Sequence, residues 1–307
     1  MKYIDKLSAM TLGTVQLGTN YGIANNNGKP DETTSFSILR SALENGITSL
    51  DTARAYGDSE QVIGRFLKTW EGETPCITTK IQKFKGDTPA ELEAHAVESL
   101  ETSLENLGVS NVDTVMLHAA GDIFTHGQKV VSALESLIRR GYTKQVGVSV
   151  YNAAELEEMM KYDVLTATQV PMSIFDQRLI ACGSIDRLKE RNITVFVRSV
   201  FLQGLFFLDP EKIDDPILTE HAVPKIRLLR QIAEEEGMSV AQLAIAFMRD
   251  CAGVTSLVLG ADNADQVRSN IAYFDTPVLD GSVIAKLKAE FANVDIPEIM
   301  KVLSRPK

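Results

Sequence analysis

The feature that most restricts how this chain can fold is an alternation, kept up from one end to the other, of short apolar or β-branched runs with longer stretches of helical periodicity. The runs are Met10–Leu12, Ile47–Asp51, Cys76–Lys80, Val112–His118, Gln145–Val150, Ala167–Pro171, Ile193–Ser199 and Ser256–Gly260. Asp31 opens the first helical stretch, which places Phe36, Leu39 and Leu43 on one side and ends at Asn45-Gly46, where glycine suits a left-handed cap. Glu60–Leu67 is the second. Thr88-Pro89 opens a long one with Leu92, Ala96, Leu100, Leu104 and Leu107 along one stripe, closed by Gly108. Lys129–Arg140, Asn152–Tyr162 and Ile180–Arg191 follow, Asn152 and Glu155 resembling a capping box. After an irregular stretch, Leu202–Pro224, come Lys225–Glu236, Ser239–Cys251 and Asn263–Phe274.

Eight such β/α units are what a closed barrel requires, so the expected fold class is α/β, a single-domain (β/α)8 TIM barrel over residues 1–307. No Pro/Ser-rich linker, low-complexity tract or abrupt charge shift divides the chain. A doubly wound open sheet is the competing layout, and it usually announces itself with GxGxxG after the first strand. The sequence GTVQLG at Gly13–Gly18 is flanked by glycine but lacks that spacing, and reads as a turn.

The length of 307 residues is large for an ordinary domain and ordinary for an α/β barrel. A formal charge of −10, with no basic patch, speaks against a nucleic-acid or anionic-membrane surface. Cys76, Cys182 and Cys251 are widely spaced, with no CxxC pair or His-rich neighbour, so neither a disulfide framework nor a metal site is expected. The N-terminal MKYIDKLSAMTLG lacks an apolar signal core, and no apolar run approaches the roughly 18 residues that span a bilayer. A reduced, cytoplasmic setting is the expectation. Oligomeric state is not legible.

Three runs end on an ionisable side chain: Asp51, Lys80 and His118, with Tyr56 in the loop after the first of them. In a parallel sheet all four face one mouth. A phenol beside an ammonium and a carboxylate is a tunable proton donor, and an imidazole can hold a carbonyl oxygen. Singly, each residue has an ordinary explanation: a turn cap for Asp51, a solvated strand end for Lys80, a packing aromatic for Tyr56, a satisfied core histidine for His118. His95, His126 and His221 have no comparable context and read as surface residues.

Together the four belong to a longer pattern. Residues 46–64, GITSLDTARAYGDSEQVIG, contain D-T-A-x-x-Y-G-x-S-E followed by I-G, and with Lys80 in TTK and His118 in MLH the chain resembles the aldo-keto reductase superfamily. The resemblance implies that Asp51, Tyr56, Lys80 and His118 are catalytic. It implies that Ser149 and Gln169 hold the nicotinamide carboxamide, with Val150 standing where the family has Asn. In RSVFLQGL, Arg198 replaces an aromatic that stacks on the nicotinamide and Ser199 follows it; a planar guanidinium can also stack. An ion pair with Asp51 is the other reading of Arg198. The segment SLVLGADNADQVRSNI, residues 256–271, is similar to the coenzyme-binding segment of potassium-channel β subunits. That assigns Gly260, Asp262, Asn263, Gln266 and Asn270 to the adenosine phosphate, with the helix start contributing its dipole. Asp262 departs from the phosphate-friendly residue usual there.

The resemblance implies an NADPH-dependent oxidoreductase that reduces an aldehyde or ketone to an alcohol, with Tyr56 as proton donor. Its tuner would be Lys80, lowering the Tyr56 pKa from about 10 toward the working range. NADP(H) is the expected coenzyme, with NAD(H) possible, and a small-molecule carbonyl compound the expected partner. Two rivals remain open: a regulatory nicotinamide-binding subunit, and a sugar dehydrogenase run in the oxidative direction. Specificity is expected in Ala119–Gln128, Phe201–Pro224 and Asn293–Lys307, with Phe201, Phe206 and Phe207 as candidate pocket aromatics.

Overall fold

In the computed structural model, residues 6–25 and 27–305 are described. Eight strands form one closed barrel: β1 (Met10–Gly13), β2 (Ser49–Asp51), β3 (Cys76–Ile81), β4 (Val112–Leu117), β5 (Thr143–Ser149), β6 (Leu165–Pro171), β7 (Thr194–Arg198) and β8 (Ser256–Leu259). Each pairs in parallel with its sequence neighbours, and β8 closes on β1 through Met10↔Leu257. The expected (β/α)8 barrel is therefore the observed fold.

Strand periodicity decides what each residue faces. One set of positions, among them Leu50, Val115, Leu117, Val195 and Val197, joins the large apolar core with the surrounding helices. The alternate set points into the barrel. Met116, Ala167 and Phe196 form a separate apolar cluster there, with Leu7 and Val258 against it. A polar layer lies beside it, in which the Thr11 hydroxyl is 2.7 Å from both Ser49 Oγ and Ser256 Oγ. Asp51, Lys80, Gln169 and Arg198 belong to this same inward set by their spacing, so the barrel fixes their direction.

The helices follow their local signals. Asp31 caps Glu32–Glu44 by accepting from Thr34 N, and Thr88 with Glu91 forms a full capping box on Pro89–Leu107, which ends at Gly108 in the left-handed region. Asn152 caps a shorter helix than expected, Ala153–Met159. The stretch expected as one helix, Ile180–Arg191, is two, Arg178–Ala181 and Ser184–Glu190, because Gly183 between them adopts φ +70°. The irregular Leu202–Pro224 holds short helical turns at Leu202–Phe207, Pro210–Lys212 and Pro216–His221. Two helices that the sequence reading did not place, Gly281–Glu290 and Ile296–Leu303, complete the outer layer. They pack inward: Phe291 stacks on Phe175 at 5.1 Å. Phe206 also packs on Phe175, at 4.7 Å, and is buried rather than part of a pocket. Of the expected specificity segment Asn293–Lys307, Pro306 and Lys307 lie outside the described residues. Among the described residues no helix is long and apolar enough to cross a membrane.

Phe196 is the largest member of the interior cluster and fully buried. Phe196→Ala is expected to cost about 3–5 kcal/mol of unfolding free energy, the usual range for emptying such a site. Denaturant midpoints of the two proteins check this, and a midpoint unchanged by the substitution would show that the interior collapses around the gap.

Candidate active site

The carboxylate of Asp51, on β2, and the ammonium of Lys80, on β3, meet inside the mouth of the barrel. Lys80 Nζ donates to Asp51 Oδ1 at 2.7 Å and Oδ2 at 2.8 Å, to the Thr52 carbonyl at 3.1 Å and to the Tyr56 hydroxyl at 3.3 Å. Lys80 is fully buried and Asp51 nearly so. His118, the first residue past β4, is held by its backbone N–H to the Ile81 carbonyl at 3.0 Å, and its ring meets the Tyr56 ring edge-on at 5.6 Å. All four expected catalytic side chains are thus brought together.

The loop that carries Tyr56 is fixed from three sides. Thr14 donates its N–H and hydroxyl to the Asp51 carbonyl, Ser59 donates to Thr14, and Ser59 N–H bonds the Tyr56 carbonyl at 3.0 Å. The Glu60 carboxylate, itself buried, accepts from Thr79 Oγ1 at 2.7 Å, Asn106 Nδ2 at 3.2 Å and Arg54 Nη1 at 3.3 Å. Serine and glutamate of the motif are therefore fasteners of the loop. Gly18 is the third support. A Cβ there would lie 1.7 Å from the Tyr56 carbonyl, and one on Gly57, which adopts φ +55°, would lie 2.2 Å from the Gly18 carbonyl. The stretch expected as a turn, Gly13–Gly18, holds the short helix Val15–Gly18, and it sets the height of the tyrosine through backbone contact that only glycine permits.

The pKa directions correct one expectation. Burial pushes the Tyr56 phenol up, and the Lys80 charge offsets that only in part, so the net shift is above its ordinary value rather than toward neutrality. Burial also opposes the Lys80 charge, but Asp51 and then Tyr56 outweigh it and hold the ammonium above its usual range. His118 is pushed down to about 4, first by burial and then by Lys80. At neutral pH the site therefore presents a protonated phenol, a neutral imidazole and a charged lysine.

A cavity of about 680 Å³ opens on Asp51 and Tyr56, within the roughly 300–1,000 Å³ of small-molecule and cofactor sites, while Lys80 and His118 lie behind these two and outside its wall. Asp51, Tyr56, Gln169, Arg198, Ser199, Gly260, Asp262, Gln266 and Asn270 all line it. Gln169, in the cavity wall, donates Nε2 to Asp51 Oδ1 at 2.8 Å. Ser149 sits beside Gln169 in register, buried, and is not in the cavity wall; neither is Asn263, whose side chain caps Ala264–Ala272 by accepting from Gln266 N. Val150 is wholly buried. Arg198 forms no ion pair with Asp51: its guanidinium lies over the Tyr151 ring at 4.4 Å, and Nη1 reaches Ser199 Oγ at 3.4 Å. Arg268 is paired with Asp265.

Several lining residues escaped the sequence reading. Gln16 and Tyr21 follow β1, and Ser269 and Tyr273 lie in and just beyond the last β/α helix. The Tyr21 phenol is driven up to about 12 by burial against the opposing charge of Arg198. The loop after β7 crosses to the β1 loop, where Ile23 N–H bonds the Gln203 carbonyl at 2.8 Å. Ser199, Leu202 and Gln203 there adopt φ of 65°, 45° and 56°. Of the candidate pocket aromatics, Phe201 and Phe207 do line the cavity.

The Aldo/keto reductase family profile matches residues 9–290. Among curated proteins, L-glyceraldehyde 3-phosphate reductase of Escherichia coli K12 is 24% identical over 294 residues, 84% of each chain. The NADH-specific methylglyoxal reductase of the same strain is 26% identical over 319 residues, 93% of this chain and 95% of that one. A probable voltage-gated potassium channel subunit beta of Arabidopsis thaliana is 24% identical over 282 residues, 82% and 85%. Among solved structures, an aldo/keto reductase from Klebsiella pneumoniae in complex with NADP and acetate matches with TM-score 0.70 and 21% identity, over 93% and 92%. The chain belongs to the aldo/keto reductase family. It is by that membership an NAD(P)H-dependent oxidoreductase.

Lys80→Met is expected to move the Tyr56 ionisation further upward, because the cation hydrogen-bonded to the phenol is gone while the burial remains. The basic limb of the pH–rate profile should shift to higher pH with whatever activity survives. A limb that stays in place would show that Lys80 does not act on the phenol.

Proposed function

We propose that this protein reduces an aldehyde or ketone to an alcohol with NADPH as the favoured reductant and Tyr56 as the proton donor. The observation that carries the reading is the Lys80 ammonium, buried behind the cavity wall, bridging the two wall residues Asp51 and Tyr56. Such an arrangement has no packing purpose that an apolar side chain would not serve better.

The wall of the cavity suits a nicotinamide coenzyme. The side chain of Gln16 has a buried Oε1 without a partner, Gln169 stands in the same wall, and Arg198 offers a planar face. Gln169 and Arg198 would hold the nicotinamide, and Ser199 the segment that follows. Gly260, Asp262, Gln266 and Asn270 would take the adenosine phosphate end, where the start of Ala264–Ala272 contributes its dipole. We assign Ser149 and Asn263 a supporting place, behind Gln169 and at the helix cap. When bound, the coenzyme supplies a hydride.

The chain's own residues do the rest. Tyr56, kept as a phenol by burial, donates its proton to the carbonyl oxygen as charge develops there. Lys80 favours the phenolate left behind and so lowers the cost of that donation, while Asp51 holds Lys80 charged and in place. His118, neutral, donates a hydrogen bond to the same oxygen and orients it. Tyr56→Phe should therefore cost at least about 10²-fold in kcat. A screen of aldehydes, ketones, sugars and sugar alcohols with both coenzymes, followed at the nicotinamide absorbance, tests the reading; a fully active Tyr56→Phe protein would refute the role of the phenol.

Coenzyme choice turns on Asp262. It lines the cavity, and its backbone N–H is tied to Gln266 Oε1 at 2.8 Å. A carboxylate about 4 Å from a 2′-phosphate opposes it by about 1 kcal/mol in water-like surroundings and more where water is excluded. The helix start returns about 0.3–1 kcal/mol. Arg268 is occupied by Asp265 and adds little. NADPH is thus expected to lead NADH by a narrow margin, and Asp262→Ser to widen it by strengthening NADPH alone. Dissociation constants of both coenzymes on both proteins at one salt concentration decide it. A strong NADPH preference untouched by the substitution would place Asp262 away from the phosphate.

A further inference from the structure

Arg198 is a cation without a counter-charge beside the reacting groups. It stands at the end of β7 in the wall of the cavity that Tyr56 and Asp51 also line. Among the described residues it takes part in no ion pair; its one side-chain hydrogen bond is the long one to Ser199, and Nη2 is shut off from solvent with no partner. The nearby carboxylates are committed elsewhere. Asp51 is held by Lys80 and Gln169, and Asp209 accepts from Glu211 N and pairs with Lys212. What surrounds the guanidinium is phenol: Tyr151 covers one face, and its charge is felt at Tyr21, Tyr56 and His118.

Buried charged donors are normally satisfied, and an exception calls for an explanation. A guanidinium whose Cζ lies 4.4 Å from an aromatic ring centroid still has N–H groups free for a planar or tetrahedral oxyanion, which it matches in pairs. Tyr151 is 45% exposed and outside the cavity wall, so it can yield to admit such a group. The Lys80–Asp51 pair is neutral as a unit and leaves the Arg198 charge uncancelled in the cavity.

We propose that Arg198 makes this a site for carbonyl compounds that carry an oxyanion, a carboxylate or a phosphate ester, close to the carbonyl. The inference rests on the reductase reading, with the guanidinium edge binding the substrate anion while Tyr56 meets the carbonyl oxygen. Face and edge are separate, so stacking on a coenzyme ring and binding an anion are compatible.

Matched pairs test it: glyceraldehyde 3-phosphate against glyceraldehyde, and succinic semialdehyde against butanal, each with NADPH. In the wild type at least one anionic member should exceed its neutral partner about tenfold or more in kcat/KM, mainly through KM. The pair that shows it distinguishes phosphate from carboxylate. Arg198→Met should bring that ratio near one and Arg198→Lys should restore part of it. Because the ratio is taken within each protein, a general loss of folding or coenzyme affinity cancels. Neutral members used as well as anionic ones, or a preference that survives Arg198→Met, would overturn the inference while leaving the reductase reading intact. So would a coenzyme dissociation constant that weakens in Arg198→Met with the ratio unchanged, since the anion met by Arg198 would then be the coenzyme's. If no carbonyl compound is turned over, the reductase reading fails, and calorimetry with succinate and glycerol 3-phosphate on the NADPH-loaded protein decides the anion site. Saturable binding lost in Arg198→Met supports it, and no binding overturns it.

Discussion

The buried ion pair of Lys80 and Asp51 is the interaction around which the site is arranged. Taking an ammonium fully out of water costs several kcal/mol, and Coulomb attraction repays this only with close geometry and further hydrogen bonds. Lys80 has both: two carboxylate oxygens, the Thr52 carbonyl and the Tyr56 hydroxyl, all within 3.3 Å. Asp51 in turn takes Gln169 Nε2 from across the barrel. Strands β2, β3 and β6 are thereby tied at one level, and breaking the pair from either side would leave a buried charge worth about 3–5 kcal/mol in lost stability. The barrel supplies the rigidity that such a pair needs, because inward direction at Asp51, Lys80 and Gln169 is set by strand period and not by loop conformation.

Tyr56 differs in that it comes from a loop, and its position has to be built. Gly18 and Gly57 bring two backbones into contact, Ser59 and Thr14 cross-link them, and Glu60 anchors the far side through Thr79, Asn106 and Arg54. The electrostatic result is a balance in which burial prevails over the neighbouring cation, so the phenol keeps its proton at working pH. On the proposed reading, Lys80 would act on the phenolate that proton donation creates, an effect on the transition state more than on the resting protein. His118 is held neutral by the same burial and the same cation, so on the proposed reading it would serve as a hydrogen-bond donor and not as a second acid.

The sequence carried the strands, the closure into a barrel and the four central residues, because each depends on short-range pattern: an apolar run of strand length, an ionisable residue at its end, a cap at a helix start. What it did not carry depends on contacts between distant segments. Nothing local in GTVQLG says that Gly18 will meet Tyr56, and nothing in Ile180–Arg191 shows that Gly183 will turn left-handed against an otherwise helical pattern. The positive φ angles at Ser199, Leu202 and Gln203 are imposed on residues that do not favour them, so composition gave no sign of that loop. The helices Gly281–Glu290 and Ile296–Leu303 lie past the last β/α unit, where the barrel repeat offers no template. Tyr56 was read as tuned downward because a cation stands next to it, and only the burial seen in the fold reverses that sign.

The two loops that close over the cavity explain why fold and chemistry are more legible than substrate. One follows β1 and the other β7, and they touch through Ile23 and Gln203, so the space above Tyr56 is shaped by a contact between segments about 180 residues apart in the chain. Into that space the β1 loop sends Gln16 and Tyr21, and the end of β7 sends Arg198. Lys80 and Asp51 cancel as a pair, which leaves Arg198 and the Asp262 carboxylate, both in the cavity wall, to shape its field. A substitution at Arg198 changes that field without disturbing strand register, capping or core packing. On the proposed reading the barrel and its ion pair fix the reaction, and Arg198, a strand-end residue outside the motif, would set which carbonyl compounds reach it.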